Sequence, residues 1–152
     1  MSRLSHRSPV WLPILVLCGS ADATAQPAPP ANLQGLWRVA DSACAGCDPA
    51  QGPETGAQLR ISAQGYQNPF AEDCAQAVGA EALAPESEAA LQQRLGLPAR
   101  WLAADPAQAS AQSFRIWCGA QASFQVIRLS GGDLLVPTEA STVLRLVPAA
   151  SR

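Results

Sequence analysis

Alternating apolar and polar positions predict short strands near the start of the folded part of the chain. In LQGLWRVAD (33–41), Trp37 and Val39 share one face while Arg38, between them, lies on the other, which is the period of a half-buried strand. AQLRIS (57–62) alternates in the same way. The residues that follow, QGYQNPF, contain an Asn-Pro turn signal and predict a turn or a hairpin.

The last third of the chain predicts a β-meander. Four alternating segments are separated by turn residues, and the Gly131-Gly132 pair is a strong hairpin signal. The predicted strands are QSFRIWCG (112–119), SFQVIRLS (123–130), DLLVP (133–137) and STVLRLV (141–147).

The middle of the chain has the period of a helix. In PESEAALQQRLG, Pro85 stands at a suitable first helical position, Leu91 and Leu95 share a face, and Gly96 suits a C-cap. PARWLAAD predicts a second short helical turn that begins at Pro98. The fold class is therefore mainly β (α+β): an antiparallel curled sheet or small barrel with one short helical insertion at about 75–105. We expect one domain over 33–148.

The N-terminus has the organisation of an export signal. A basic start is followed by a short apolar run, VWLPILVLC, and by an A-x-A cleavage motif, which predicts a signal peptide over 1–25. The run is shorter than the about 20 residues that a spanning helix needs, so no transmembrane span is expected. Residues 26–32 read as an extended Pro-rich linker. The alternative is an envelope lipoprotein acylated at Cys18. Both interpretations place the domain outside the cytosol, in the periplasm or secreted.

Composition excludes several function classes. All ten basic residues are arginines, they are spread singly, and the net charge is −2, so nucleic-acid binding is not expected. The one histidine, His6, lies in the predicted signal. Without it, the domain lacks Ser-His-Asp and Cys-His catalysis and every histidine-dependent zinc site. No catalytic residue, cofactor or resident metal is predicted.

If Cys18 is removed with the signal, four cysteines remain: Cys44, Cys47, Cys74 and Cys118. An even number in an oxidising compartment predicts two structural disulfides, for which three connectivities exist. Bridging Cys74 to Cys118 would close a loop of about 45 residues, worth roughly 4 kcal/mol in the chain-entropy model. Cys44 would then pair with Cys47. The crossed pairings remain open.

The Cys44-Ala-Gly-Cys47 stretch is also a candidate redox pair or soft-metal site, such as one for Cu(I). A catalytic C-x-x-C normally opens a helix, whose N-terminus lowers the thiol pKa. Here Cys47 is followed by Asp-Pro-Ala-Gln-Gly-Pro, which has the composition of a loop. Structural disulfides are therefore the favoured interpretation.

Two further features have a functional and a structural interpretation. Glu72 and Asp73 are adjacent carboxylates, but neighbouring positions of a strand point apart, so no catalytic dyad is implied. Trp101 is a candidate exposed apolar anchor for a partner. The alternative for Trp101 is an indole folded back over the sheet.

Gly35-Leu36-Trp37, on the first strand of a small exported β domain with a C-terminal meander, resembles the G-x-W signature of lipocalin-like (calycin) barrels. The resemblance implies that Trp37 closes one end of a barrel and packs against Arg145 from the last strand. A cation–π contact is the physical form that such packing takes. The helical insertion and the number of visible strands depart from that family.

The function that these observations favour is a non-enzymatic exported β domain that binds a small ligand or a protein partner in the bacterial envelope. A ligand-binding protein predicts a cavity at a barrel mouth, and an inhibitor of a protein partner predicts a filled core with a protruding segment. The alternative is a periplasmic thiol redox or soft-metal-handling protein that uses Cys44 and Cys47.

Overall fold

The structure, a computed structural model, describes residues 26–44, 55–138 and 141–150. The described residues are mainly β and confirm the predicted fold class. Their elements are β1 (Gly35–Cys44), β2 (Gln58–Ser62), β3 (Gly65–Gln67), β4 (Val78–Ala82), β5 (Glu86–Ser87), α1 (Glu88–Leu95), a turn of 3₁₀-helix (Ala99–Trp101), β6 (Ser110–Cys118), β7 (Gln121–Arg128), β8 (Leu134–Pro137) and β9 (Thr142–Pro148).

The described strands form one antiparallel sheet that is nearly closed into a barrel. Their order is β3-β2-β1-β9-β8-β7-β6-β4, with β5 beside β6. The two ends of the sheet meet where the N–H of Val78 donates to the carbonyl of Ala63 at 3.0 Å. Nearby, Tyr66 and Cys74 exchange two backbone hydrogen bonds of 2.9 Å.

Two apolar clusters lie on opposite faces of the curled sheet. The inner cluster fills the barrel and takes side chains from strands all round it, among them Trp37, Leu59, Ile116 and Leu144. The outer cluster lies beneath the helical insertion, where Leu91 and Trp101 cover Ile127, Leu135 and Val143. In β6 to β9 the alternation therefore serves two cores, whereas the outer face of β2 is exposed.

The helix begins three residues after Pro85, its expected first position. Glu86 and Ser87 pair with β6 as a short strand. The hydroxyl of Ser87 then accepts from the N–H of Ala90 at 3.2 Å, so Ser87 is the N-cap. At the other end, Gly96 has φ 66° and closes the helix as predicted.

The predicted insertion contains a strand, β4, that the sequence pattern did not reveal. β4 pairs with β6 along its whole length. On its other side, the N–H of Ala80 donates to the carbonyl of Pro27 at 2.7 Å, and Pro29 is buried. The segment expected to be a Pro-rich linker therefore covers the edge of β4 and is part of the folded barrel.

Glu88 ties the helical insertion to the barrel. Its side chain is 0 % exposed. One carboxylate oxygen accepts from the N–H and the hydroxyl of Ser130, at 2.8 and 2.7 Å, and the other accepts from the N–H of Ala103 at 2.8 Å. Burial acts to raise the pKa of Glu88, but these hydrogen bonds outweigh it and hold the pKa below its ordinary value.

Asp41 on β1 makes a second tie. One of its oxygens accepts from the indole N–H of Trp101 at 2.9 Å and from the guanidinium of Arg100 at 2.7 Å. Burial raises the pKa of Asp41, yet the hydrogen bonds from Arg100, Trp101 and Ser42 lower it by more. Trp101 is 4 % exposed, so the idea of an exposed anchor is wrong and the folded-back alternative is correct.

The glycine at the start of β3 provides a test of barrel closure. A Cβ on Gly65 would lie 2.5 Å from the backbone carbonyl oxygen of Cys74. We expect Gly65→Ala to lower the free energy of unfolding by about 1–3 kcal/mol, because backbone must shift. Gly131→Ala is the control, since a Cβ there meets nothing within 4 Å. Urea denaturation measures both, and equal effects would contradict this account of closure.

We expect the contribution of Glu88 to the free energy of unfolding to depend on pH. Glu88→Gln places an NH₂ group among N–H and O–H donors, and we expect a loss of about 1–3 kcal/mol at neutral pH. Because the folded-state pKa lies below 4.5, the carboxylate's contribution is complete above that pH and disappears as the pH falls through the folded-state pKa. Thermal unfolding from pH 7 to pH 3 should show the two proteins converging in acid.

Glu86→Gln is the matched control for this experiment. Glu86 pairs with Arg94 at a largely exposed site, where ion pairs contribute at most about 1 kcal/mol. A constant gap between wild type and Glu88→Gln over the whole pH range would show that ionisation of Glu88 does not contribute.

Candidate functional site

A disulfide joins Cys74 to Cys118, with the Cα atoms 5.8 Å apart. Cys118 ends β6, and Cys74 pairs through its backbone with Tyr66 on β3. This pairing is one of those that the sequence left open. It fastens the segment before β4, residues 68–74, across one end of the barrel.

Cys44 lies at the end of β1 opposite Thr142, and it too is disulfide-bonded. Its partner is neither Cys74 nor Cys118, because these two bond to each other. The other half of the expected C-x-x-C pair, Cys47, lies outside the described residues.

The structure separates Trp37 from Arg145, whose packing the calycin resemblance implies. Trp37 lies inside the barrel in the same cluster as Leu144 and Leu146. Arg145 stands between those two leucines in β9 and therefore faces outwards. There its guanidinium pairs with the carboxylate of Asp133 at 2.7 Å. The implied contact is not found, because the two side chains lie on opposite faces of the sheet.

A cleft of about 340 Å³ opens at the end of the barrel that the Cys74–Cys118 disulfide spans. We call it the mouth cleft. Its apolar walls are Phe70, Phe124, Val136 and Pro137. The remaining lining residues are Asn68, Ala71, Ser123 and Thr138.

A β-bulge on β7 shapes one wall of the mouth cleft. Ile116 pairs with Phe124 but the next residue of β6, Trp117, pairs with Ala122, which leaves Ser123 as the extra residue. A bulge re-aims the side chains of its strand. Here the hydroxyl of Ser123 meets that of Tyr66 at 2.5 Å, and the Phe124 ring packs edge-on against Tyr66 at a centroid distance of 5.1 Å.

The opposite wall forms because the ladder between β7 and β8 stops early. Its last pair is Ile127–Leu135. In an antiparallel hairpin, every second residue of a strand directs its backbone N–H and C=O towards the partner strand. Counted from the turn, Leu135 and Pro137 are the residues of β8 whose backbone groups face β7. Proline has no N–H, so Pro137 cannot donate to β7, and the ladder does not continue past Leu135. Beyond that last pair, Phe124 of β7 and Val136 and Pro137 of β8 line the mouth cleft.

Asn68 contributes a hydrogen-bond donor to the lining of the mouth cleft. The residue is 4 % exposed, and its side-chain oxygen accepts from the N–H of Phe70 at 2.9 Å. Its own N–H donates to the carboxylate of Asp73 at 2.8 Å. Because the oxygen is engaged, the NH₂ group is the end left for the cleft, and it has no hydrogen-bond partner within the described part of the chain.

Two further clefts adjoin the mouth cleft and give the site its electrostatic character. An open groove of about 550 Å³ and a cleft of about 300 Å³ both include Glu72 and Asp73 in their lining. The groove shares Asn68 and Ala71 with the mouth cleft, and the smaller cleft shares Ser123 with it. Among the described residues that line the three clefts, two are acidic and none is basic.

Sequence analysis named only part of this site. It noted Glu72 and Asp73, and it read Asn68-Pro69 as a turn without assigning Asn68 a role. Pro137 was visible as a proline at the end of a predicted strand, which is a signal for an interrupted ladder. The bulge at Ser123 carries no local signal, because it depends on how β7 aligns with β6.

Over the described residues, no group of three or more cysteine, aspartate or glutamate side chains is arranged to hold a metal ion. In the same part of the chain, no helix has the length and apolar character needed to cross a membrane.

Comparisons of the chain with protein-family models, with curated proteins and with solved structures found no match.

Proposed function

We propose that this protein is a non-catalytic, exported β-barrel of the bacterial envelope that binds a small, largely apolar ligand at the mouth cleft. The observation that carries the proposal is the cleft itself. Its volume of about 340 Å³ lies at the lower end of the range for ligand sites. Apolar walls with a few convergent polar groups are also typical of such sites.

A relationship of this protein to the lipocalin-like barrels is part of the same proposal. A nearly closed barrel whose first strand begins with Gly35-Leu36-Trp37 supports it, while the outward position of Arg145 speaks against it. Because the inner cluster fills the barrel, the proposed ligand sits at the mouth and not deep inside.

An exported location is part of the same proposal. The Cys74–Cys118 disulfide supports it, because structural disulfides persist in oxidising compartments. We propose a periplasmic or secreted protein with the signal removed after Ala25. The alternative form is an envelope lipoprotein acylated at Cys18.

Filling the mouth cleft tests the ligand proposal. Ala71 is exposed and lines the cleft, so Ala71→Trp should occlude it without disturbing the core. The probe is N-phenyl-1-naphthylamine, a neutral apolar fluorophore. We expect wild type to enhance its fluorescence saturably and Ala71→Trp to bind it at least about tenfold more weakly. Ala90→Trp, at an exposed position of α1, is the control and should bind like wild type. Equal binding by all three proteins would refute this location.

The second candidate function is thiol redox or soft-metal chemistry at Cys44 and Cys47. One observation favours keeping it: the Cys74–Cys118 bond excludes both crossed pairings, in which Cys44 would have been tied to one of these two cysteines. A reactive pair would also have to overcome the nearby Asp48, whose negative charge opposes thiolate formation.

Redox equilibration separates the two candidate functions. The protein is incubated in glutathione buffers of graded potential and its free thiols are trapped with a maleimide. For the favoured binding function we expect both disulfides to resist reduction until about −300 mV, as structural disulfides do. A Cys44 disulfide half-reduced between about −270 and −120 mV would instead match the exchange enzymes and support the redox function.

A further inference from the structure

We propose that the mature N-terminus of this protein is a pyroglutamate. After cleavage behind Ala25, Gln26 cyclises, and its lactam carbonyl accepts from the indole N–H of Trp117. This inference goes beyond ligand binding. It rests on the exported location within the proposed function, because Gln26 becomes the terminal residue only when the signal is removed at that position.

The place of Gln26 in the fold is the first argument. The carbonyl of Pro27 accepts from the N–H of Ala80 at 2.7 Å, so the segment that begins at Gln26 is held along the edge of β4. A Cβ on Gly79 would lie 2.4 Å from the Cβ of Gln26. The side chain of Gln26 therefore occupies the space that a side chain at residue 79 would fill.

The neighbour of that space on the sheet is Trp117. It pairs with Gly79 in the ladder between β4 and β6, and side chains of directly paired residues lie on the same face of a sheet, about 5 Å apart. Val78 and Ala80 belong to the inner cluster, so this face is the outer one. Gln26 and Trp117 are therefore neighbours outside the barrel.

The indole of Trp117 supplies the second argument. Its N–H is buried and has no hydrogen-bond partner within the described part of the chain. A buried donor without an acceptor costs free energy. The notch formed by Gly79 and Trp117 therefore calls for an acceptor at the residue that lies in it.

The chemistry of a terminal glutamine provides that acceptor. The neutral α-amine of Gln26 attacks the Cδ of its own side chain, which the short chain keeps within reach. A bond forms between the α-nitrogen and Cδ, and the bond from Cδ to the amide nitrogen breaks. That nitrogen takes the proton lost by the α-amine and leaves as ammonia. No oxidant, reductant or co-reactant is consumed.

Charge favours the lactam over the open terminus. A terminal ammonium has donors and no acceptor, so it would add a positive charge beside an indole N–H that already lacks a partner. Glu81, on the same face of β4, is paired with Arg115 at 3.3 Å. The lactam is neutral, and its ring fixes the side-chain torsions, so less conformational entropy is lost when the residue is held in the notch.

Mass spectrometry tests the modification. The protein is exported with its own signal, purified from the periplasm, and its intact mass and N-terminal peptide are measured. We expect a chain that begins at residue 26 and is lighter than the open form by one ammonia. Gln26→Met is the matched control, because it keeps an unbranched stem but has no amide, and it should lose nothing. A wild-type chain that keeps its ammonia through prolonged incubation at neutral pH would overturn the inference.

Hydrogen exchange of the indole N–H groups, followed by NMR, tests the contact with Trp117. We expect the Trp117 indole to exchange about three- to tenfold faster in Gln26→Met than in wild type, as the loss of one hydrogen bond implies. The Trp101 indole, which donates to Asp41, is the internal reference and should exchange alike in both proteins. Equal exchange of Trp117 in both would show that the lactam carbonyl does not bind it.

Gly79→Ala tests the notch itself. Its Cβ displaces Gln26, so we expect the lactam to form while Trp117 exchanges as fast as in Gln26→Met. Gly131→Ala, where a Cβ meets nothing within 4 Å, should match wild type. Unchanged Trp117 exchange in Gly79→Ala, with the Trp101 reference also unchanged, would overturn the assignment of this notch to Gln26.

Failure of this inference can be told apart from failure of the proposed function. A mature chain that begins at an acylated Cys18 would overturn the inference, because Gln26 would then have no free α-amine. Binding of N-phenyl-1-naphthylamine at the mouth cleft is measured separately and does not involve Gln26 or Trp117. Its loss in Ala71→Trp would still support the ligand proposal.

Discussion

Closure of the barrel depends on Cys74. Through its backbone it pairs with Tyr66 at the β3 end of the sheet, and through its sulfur it bonds to Cys118 on β6, beside β4. One residue therefore joins the two ends of a sheet whose edge strands do not pair with each other along their length. A cross-link over 44 residues also lowers the conformational entropy of the unfolded chain, which stabilises the closed barrel relative to it.

The mouth cleft follows from the way in which the barrel closes. At the disulfide-spanned end, the segment from Asn68 to Cys74 takes the place of a full strand and brings Phe70 over the opening. On the far side, the bulge at Ser123 shapes the wall that carries Phe124, and Pro137 has no N–H with which to extend the ladder between β7 and β8.

The local pattern of apolar and polar residues was sufficient to predict most strands. Each of these strands has one face in an apolar cluster, so its period of two is visible in the sequence. It was insufficient for β4, Val78–Ala82, whose small residues are strand-forming only because β6 lies beside them. The local sequence places Glu88 near the start of the predicted helix but does not reveal its burial, which depends on loops 15 and 42 residues away. Asn68 and Pro137 were visible as turn and strand-end residues, but their role requires the strand register, which long-range pairing decides.

The helical insertion and the mouth cleft are separate in physical terms. Glu88 and Asp41 fasten the insertion to the outer face of the sheet, and the residues that line the three clefts all lie outside that cluster. Changes at sites without shared partners add in free energy. Stabilising the insertion therefore raises global stability without reshaping the mouth cleft. By contrast, Val136, Phe70 and Phe124 belong both to the cleft and to the inner cluster, so a change at these residues alters the site and the core together.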